Sequence, residues 1–441
     1  MSITILGLGP GDPQALTLEA RDALAQAGEI YLRTREHPTV AALPHHLTIH
    51  TYDYLYEANS DFDTIYTAIA GDVATRGEQG DILYAVPGNP LFGETSVHKI
   101  LAQARAKNIP VRVIPGLSFV DATCVALGLD PLAQGLQVVD ATDLAYDHFP
   151  QLDQDEPTLV GQVYSRAVAS DCKLTLLVTY PPDHSVTLVD AAGTPGQTIT
   201  TLPLEELDRS DSFGLLTTLY VPPLARISSL NGLAEIVAHL RSPEGCPWDR
   251  EQTHESLRAG FLEEAYEVLE TLDEGDMPHL REELGDMLLH VLLQTQIAEE
   301  ASEFTLSDVV ADIAAKLIRR HPHVFGSVTV SGTEEIIANW DKIKEKERGG
   351  KKRVAVSLPR GLPALAQAEK IAHHRKVKPS PSEIAERVEK LTRARSRDKA
   401  LGEILYALAA FASTKHIDAE SALRAAATRE LNHHNQEVSD E

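Results

Sequence analysis

Cysteine and long apolar runs are scarce in this sequence, and each scarcity excludes a class of protein. The three cysteines, Cys124, Cys172 and Cys246, form no C-x-x-C pair, which argues against a disulfide framework and fits a reducing compartment. No apolar run approaches the roughly 18 residues that a transmembrane helix needs. The opening residues MSITILGLGPGDP lack the basic and long apolar regions of a signal peptide. We therefore expect a cytoplasmic protein without a membrane span.

Basic residues are also few compared with acidic ones. Lys and Arg number 40 against 65 Asp and Glu, which gives a formal net charge of −25. This balance argues against a general nucleic-acid or membrane-surface binder. A chain of 441 residues is too long for one ordinary core, so we expect two or three domains.

Two acidic clusters lie between Phe261 and Met287, in segments whose apolar spacing is helical. The clusters have the spacings E-E-x-x-E and E-x-x-D, and their members are Glu263, Glu264, Glu267, Glu283 and Asp286. Residues three and four apart share a helix face. Gly275, Asp276 and Pro278 between the two segments favour a tight turn. The sequence therefore predicts antiparallel helices that direct both clusters into one cleft.

Five carboxylates in one cleft repel each other and resist ionising together unless a cation neutralises them. Ligand sets made only of oxygen suit hard divalent ions, Mg²⁺ first and Mn²⁺ second. Because Mg²⁺ commonly shares its coordination shell with substrate phosphates, the clusters favour phosphate-ester or phosphoanhydride chemistry. The alternative is a solvated acidic helix face with no ligand.

The amino-terminal half has the rhythm of an α/β domain. Residues 3–8 favour a buried strand, the glycine-rich sequence GLGPGDP follows, and a helix is predicted from Thr17 to Ala27. The loop does not fit the G-x-G-x-x-G dinucleotide motif, because Asp12 stands where the third glycine would be. Further strand and helix signals occupy 80–107, and another strand is predicted at 111–116.

Three sequences, GLGPGDP, VPGNPLFGET and VIPGLSFVDA, resemble the tetrapyrrole methylases, and the similarity runs over about residues 1–223. The resemblance implies two α/β subdomains with S-adenosylmethionine in the cleft between them. It assigns Gly9, Pro10, Gly11 and Asp12 to the substrate side of the cleft. It assigns to the cofactor side Pro87, Gly88, Asn89, Pro90, Thr95 and Ser118. Asn89 stands where many methylases carry aspartate. The resemblance names no methyl acceptor, and a domain kept for architecture or ligand sensing is the alternative.

From about Ala225 the sequence becomes helical, and an irregular loop precedes the acidic segment. This loop carries Trp248, Asp249 and His254, which next to a metal cleft could bind a nucleobase. Trp248 as a core anchor is the alternative. Either Thr253 or Ser256 is predicted to cap the acidic helix.

A further helix is predicted from Phe304 to Arg320, and it ends in a basic run with Lys316, Arg319 and Arg320. These cations either complement the helix dipole or contact a polyphosphate.

The run CPWDREQTH…LEEAYEV…LREELGDML…KLIRRHPHVFG is similar to the MazG family of nucleoside triphosphate pyrophosphohydrolases, over about residues 226–346. The resemblance implies hydrolysis of a nucleoside triphosphate between its α and β phosphates. It implies that Mg²⁺ is held by Glu263, Glu264, Glu267, Glu283 and Asp286, with one of the glutamates as base. Lys316 and Arg319 or Arg320 would contact the leaving pyrophosphate, and a homodimer is expected.

The remainder comprises a basic linker at 347–358 and a helical block at 359–435 that resembles a second, degenerate MazG repeat. Where E-L-G-D should fall, the sequence reads Ala400-Leu401-Gly402-Glu403. Four cations accompany this loss, namely Arg393, Arg395, Arg397 and Lys399. We predict that this block binds no catalytic Mg²⁺ and instead packs or dimerises.

Together these observations predict a multidomain chain, with an α/β methylase-like domain followed by all-α domains. The leading functional hypothesis is Mg²⁺-dependent hydrolysis of nucleoside triphosphates, and by resemblance such enzymes remove aberrant or excess nucleotides. The alternative is an S-adenosylmethionine-dependent methyltransferase with an auxiliary MazG domain. A third hypothesis is a regulatory protein that senses ligands without turnover.

Overall fold

The computed structural model of the protein describes residues 1–59, 61–211, 213–347, 358–359 and 361–440. Residues 348–357 of the predicted basic linker lie outside the described residues. The chain divides into two compact units, Met1–His239 and Leu240–Glu441. Among the described helices, none combines the length and apolar character needed to cross a membrane.

The first unit begins with a five-stranded parallel sheet in the order β3-β2-β4-β1-β5. Its strands are β1 (Ser2–Gly7), β2 (Glu29–Leu32), β3 (Thr48–Thr51), β4 (Asp81–Val86) and β5 (Val111–Ile114). Its helices are α1 (Leu18–Gln26), α2 (Asp53–Ala58), α3 (Phe62–Gln79) and α4 (Thr95–Lys107). Alternate residues of the central strands feed two cores on opposite faces. Ile3 and Ile5 of β1 pack with α3 and α4, whereas Leu6 packs with α1.

A second five-stranded sheet follows, in the order β6-β7-β10-β8-β9. Its strands are β6 (Gln137–Asp140), β7 (Thr158–Gly161), β8 (Ser185–Asp190), β9 (Thr198–Pro203) and β10 (Thr217–Val221). The helices of this region are α5 (Phe119–Leu127), α6 (Pro131–Gln134), α7 (Ala141–Tyr146) and α8 (Arg166–Leu176). Strands β6 and β7 are parallel, and the remaining pairs are antiparallel. The predicted pair of α/β subdomains is confirmed.

Three glycines let the loops at the carboxyl ends of β1, β4 and β5 touch. A Cβ on Gly7 would lie 2.5 Å from the backbone nitrogen of Gly116, and a Cβ on Gly116 would lie 2.4 Å from the carbonyl oxygen of Gly88. Gly9 and Gly88 also exchange backbone hydrogen bonds of 3.2 and 2.8 Å. These contacts bring the predicted glycine loops to one edge of the sheet, where open α/β sheets bind ligands.

The described elements of the second unit are all helices, as predicted. After α9 (Leu230–Arg241), which spans the boundary of the two units, come α10 (Pro247–Glu251), α11 (Arg258–Glu274), α12 (Met277–Glu300), α13 (Leu306–Arg320), α14 (Pro322–Phe325) and α15 (Thr333–Glu347). The last helices are α16 (Ala364–Arg375), α17 (Pro381–Leu391), α18 (Arg397–Thr414) and α19 (Ala419–Asp440).

Helices α11 and α12 form the predicted antiparallel hairpin. Gly275 ends α11 with φ of 74°, and Asp276 caps α12 by accepting a hydrogen bond from the backbone nitrogen of His279. The predicted cap of α11 is wrong, because this helix begins at Arg258 without a side-chain cap. Thr253 and Ser256 instead bond each other's backbone nitrogens in the preceding turn.

The carboxyl-terminal block packs against the acidic hairpin at one described point. The guanidinium of Arg424 on α19 lies over the ring of Tyr266 on α11, 5.4 Å from its centroid. Within the block, the decayed acidic segment Ala400-Leu401-Gly402-Glu403 falls on α18. Packing of this block is thus visible, while its inability to bind Mg²⁺ stays a prediction.

Candidate metal centre

Helices α11 and α12 bring three carboxylates together. Glu264, Glu267 and Glu283 are half-buried, and each offers one oxygen such that the three oxygens lie within 4.8 Å of one another. Glu264 and Glu267 share a face of α11 because they are one turn apart, and the antiparallel α12 presents Glu283 to that face. An oxygen-only group of this size suits a hard divalent cation.

The electrostatics of this acidic group, Glu264, Glu267 and Glu283, also fit a cation. Partial burial, a hydrogen bond to Glu267 and the negative charges nearby raise the pKa of Glu264. Burial and the charges of Glu267 and Asp286 likewise raise the pKa of Glu283. Asp286, half-buried one turn along α12, is therefore close enough to belong to the same field. A bound cation would relieve this repulsion.

Glu263 stands apart from the acidic group. Its side chain is exposed, and on an α-helix it points about 100° away from Glu264. Three of the five predicted ligands are thus brought together, and a fourth lies close by. The assignment of Glu263 to the metal stays a prediction.

The loop before α11 is held at the far end of α12. Arg241 donates to both carboxylate oxygens of Glu300, at 2.7 Å each, and to the backbone carbonyls of Asp249 and Gln252. Glu300 lies 14 residues after Asp286, which is about 21 Å along the helix axis. The structure therefore does not bring Trp248 or Asp249 beside the acidic group. With its side chain 68% exposed, Trp248 is not the core anchor that was the alternative.

His254 lies closer to the acidic group than Trp248. It donates from Nδ1 to Oε1 of Gln294, which lies 8 residues, or about 12 Å, after Asp286 along α12. A role of His254 in substrate binding agrees with this position and stays a prediction.

The predicted basic contacts have a carboxylate partner. Arg319 and Arg320 at the end of α13 each bond Glu347 of α15, with distances of 2.7 Å. These arginines lower the pKa of Glu347 to about 2. Two guanidinium groups that share one carboxylate show that this end of α13 can hold an anionic group. Contact of Lys316, Arg319 or Arg320 with phosphate stays a prediction.

Several of the predicted cofactor residues in the first unit have structural partners. Asp12 caps the turn that follows it, and Ser118 forms a capping box with Asp121 at the start of α5. The side-chain amide of Asn89 donates to the carbonyl of Gly116 at 3.0 Å, which fixes the loop after β4 against the loop after β5. Thr95 is the first residue of α4. The loops meet at one edge of the first sheet, and their assignment to the substrate and cofactor sides of a cleft stays a prediction.

A buried polar cluster near the glycine loops was missed from the sequence. Nε of Arg33 lies 3.2 Å from Oε1 of Glu94, and burial raises the pKa of Glu94 to about 7. Burial and the charge of Arg33 lower the pKa of His37 to about 4. Glu94 is far in sequence from Arg33 and His37, so no local spacing indicates that the three lie together.

Comparison with protein-family models matches both parts of the chain. Residues 2–208 match the Tetrapyrrole (Corrin/Porphyrin) Methylases, and residues 252–325 match the MazG nucleotide pyrophosphohydrolase domain. The second match includes the whole acidic hairpin up to the end of α14. The MazG part is thus homologous to nucleoside triphosphate pyrophosphohydrolases.

Two curated proteins are similar to this chain over long stretches. The Uncharacterized protein YabN of Bacillus subtilis is 40% identical over 375 residues, which cover 84% of this chain and 76% of YabN. The Nucleoside triphosphate pyrophosphohydrolase/pyrophosphatase MazG of Thermotoga maritima is 38% identical over 206 residues, covering 44% of this chain and 79% of that protein.

Among solved structures, the uroporphyrin-III C-methyltransferase of Thermus thermophilus complexed with S-adenyl homocysteine is 19% identical, with a TM-score of 0.39. The match covers 50% of this chain and 97% of that one.

The fold and the family matches define a fusion of a tetrapyrrole methylase domain with a MazG domain. The chain belongs to the family of such fusions that includes YabN of Bacillus subtilis.

Removing one charge from the acidic group should stabilise the metal-free protein and abolish its response to divalent cations. A carboxyl whose pKa is raised by folding disfavours the folded state increasingly as the pH rises above its ordinary value, 4.5 for glutamate. We therefore expect Glu264→Gln to raise the Tm of the metal-free chain at pH 7.5, and Mg²⁺ to raise the Tm of the unsubstituted chain only.

Thermal unfolding with EDTA and with Mg²⁺ measures both effects. Glu270→Gln removes an exposed charge from the same helix outside the acidic group, and it should leave the Mg²⁺ response intact. An equal Mg²⁺-induced rise in Glu264→Gln and in the unsubstituted chain would contradict the cation site.

Proposed function

We propose that this protein hydrolyses nucleoside triphosphates to a nucleoside monophosphate and pyrophosphate, with Mg²⁺ or Mn²⁺ as the cofactor. The observation that carries the proposal is the acidic group on paired helices, within the segment that matches MazG. The Thermotoga maritima relative, whose name states this activity, is 38% identical to this chain over 206 residues.

The proposed mechanism assigns a task to each charged group. Glu264, Glu267, Glu283 and Asp286 hold Mg²⁺, which when bound neutralises phosphate charge and orients the phosphates. One of the glutamates accepts a proton from the attacking water. Arg319 and Arg320, with Lys316, bind the leaving pyrophosphate in exchange for Glu347.

Pyrophosphate release from a panel of ribo- and deoxyribonucleoside triphosphates tests this activity. We expect release with Mg²⁺ and none with EDTA. Glu267→Gln should lower kcat/KM by more than about 100-fold, because loss of a direct ligand should exceed the 10- to 100-fold cost of losing an outer-shell partner.

Glu263→Gln is the matched comparison, since it neutralises a neighbouring carboxylate of the same helix that lies outside the acidic group. We expect it to retain more activity than Glu267→Gln. Equal losses in the two variants would restore Glu263 as a ligand. Absence of release from any nucleotide would favour a sensor or a methyltransferase.

We further propose that the MazG part dimerises. Helix α13 has no buried residue among those described, yet it exposes an apolar stripe that includes Val309, Ile313 and Leu317. Helix α11 exposes Phe261 and Leu269 in the same way. Exposed apolar faces on neighbouring helices are typical of one half of a helical bundle, whose other half comes from a second chain. A second copy of the chain is the partner that this symmetry suits.

Ile313→Asp should convert a dimer into a monomer, because it places a charge in the centre of the apolar stripe. Light scattering coupled to size-exclusion chromatography would then report half the mass of the unsubstituted chain. Ala315→Asp adds the same charge to the opposite face of α13 and should leave the mass unchanged. A monomeric unsubstituted chain would exclude the dimer.

The second candidate function is an S-adenosylmethionine-dependent methyltransferase. It is favoured by the close contact of Gly7, Gly88 and Gly116 beneath the loops at the carboxyl edge of the first sheet. The methylase family match covers the same loops. Hydrolysis remains the leading proposal, because the carboxylates that would hold its metal ion already lie together in the structure.

Isothermal titration with S-adenosylmethionine tests the methylase cleft. We expect binding to the unsubstituted chain and weaker binding to Gly88→Ala, because Gly88 has φ of 63° and alanine would distort the loop. Gly28→Ala is the control, since its added Cβ meets nothing within 4 Å. Absence of heat at millimolar cofactor would exclude this alternative.

A further inference from the structure

A line of polar side chains continues beyond the acidic group along α12. Glu283, Asp286, His290 and Gln294 are spaced by three, four and four residues, which keeps them within about 80° of one another around the helix. We call His290 and Gln294, together with Gly260, Phe261 and His254 that contact them, the nucleoside track. It lies on the face of α12 that packs on α11.

Contacts with α11 and its preceding loop fix the direction of this face. Glu264 and Glu267 meet Glu283, Gly260 meets His290, and His254 meets Gln294. Each step forward along α12 corresponds to a step back along the other segment, as an antiparallel pair requires. His290 therefore lies between the acidic group and the His254–Gln294 pair.

His290 is a buried polar residue whose Nδ1 lacks a partner within the described part of the chain. His290 is only 9% exposed, and no hydrogen-bond partner of its Nδ1 is found among the described residues. The absence of a side chain on Gly260 makes room for the ring, because a Cβ there would lie 3.1 Å from Cε1 and Nε2. Phe261 meets the ring edge-on at 5.8 Å between centroids. An unpaired buried nitrogen costs stability that a bound ligand would recover.

The far end of the track offers a second hydrogen-bonding group. Because His254 donates from Nδ1 to Gln294, its Nε2 is an acceptor in the neutral ring, and the Gln294 amide nitrogen remains a donor. The side chain of His254 and that of Gln294 are each half-buried. A base edge needs such a mixed donor and acceptor pair.

We propose, on the basis of the hydrolase function above, that the nucleoside track binds the sugar and base of the triphosphate. The phosphates lie with the cation at the acidic group. His290 donates from Nδ1 to the sugar, and the His254–Gln294 pair contacts the base edge. Gly260 favours this position of the imidazole, because a Cβ there would lie 3.1 Å from the ring.

The test compares substrates that have a nucleoside with one that lacks it. The probes are the four ribonucleoside triphosphates and inorganic tripolyphosphate, each with Mg²⁺. His290→Leu should raise KM for the nucleotides about five- to tenfold, the loss expected for one neutral hydrogen bond. The Kd of tripolyphosphate should not change, because that ligand contacts only the acidic group and the basic residues.

Two further variants protect the test against misfolding. His290→Gln keeps a hydrogen-bonding side chain and should restore part of the nucleotide affinity. Thr295→Val is the matched control, because Thr295 is a buried polar residue of α12 that bonds its own helix at Leu292, and it should leave every KM unchanged. Circular dichroism and Tm identify any variant that fails to fold.

The outcomes separate this proposal from the hydrolase proposal. An active unsubstituted chain with equal nucleotide KM in His290→Leu would overturn the nucleoside track and leave the hydrolase standing. A parallel loss of tripolyphosphate affinity would place His290 at the phosphate end and also overturn the track. An unsubstituted chain that hydrolyses no nucleotide would overturn both proposals.

Discussion

Mutual repulsion among the carboxylates of the α11–α12 hairpin is the constraint on which the second unit depends. Glu264, Glu267 and Glu283 are held within 4.8 Å by two helices that would gain stability if the charges separated. The helices stay together despite this repulsion, because the turn at Gly275 and Asp276 joins them and buried residues near Leu292 pack between them. A cation bound at this group would supply the missing attraction, and this is the physical basis of the proposed metal site.

Whether a feature of the fold or of the site could be predicted from the sequence depends on how far apart in sequence its interacting residues are. The acidic group, the hairpin turn and the strand–glycine loop–helix at Gly9 depend on residues close in sequence, and their spacing predicted them. Arg241 and Glu300 are 59 residues apart, and no local pattern indicates that they bond. The cap of α11 was mispredicted because Thr253 and Ser256 satisfy each other's backbone, a competition between two turns that depends on where the loop is anchored.

His290 shows a different kind of failure. The signal was present, since His290 lies four residues after Asp286 and seven after Glu283, on the same predicted face. A histidine on a helix face has many ordinary explanations, and only burial, the contact with Gly260 and the unpartnered Nδ1 separate it from them. The structure thus adds to the sequence pattern the information on whether each polar atom is already satisfied.

The two units bury different balances of charge, and this difference limits what each can bind. Near the glycine loops of the first unit, Arg33 opposes Glu94, and His37 is neutral because its pKa is lowered to about 4. The acidic group of the second unit contains only carboxylates. A divalent cation should therefore be favoured at the acidic group more strongly than beside Arg33, where a positive charge is already present.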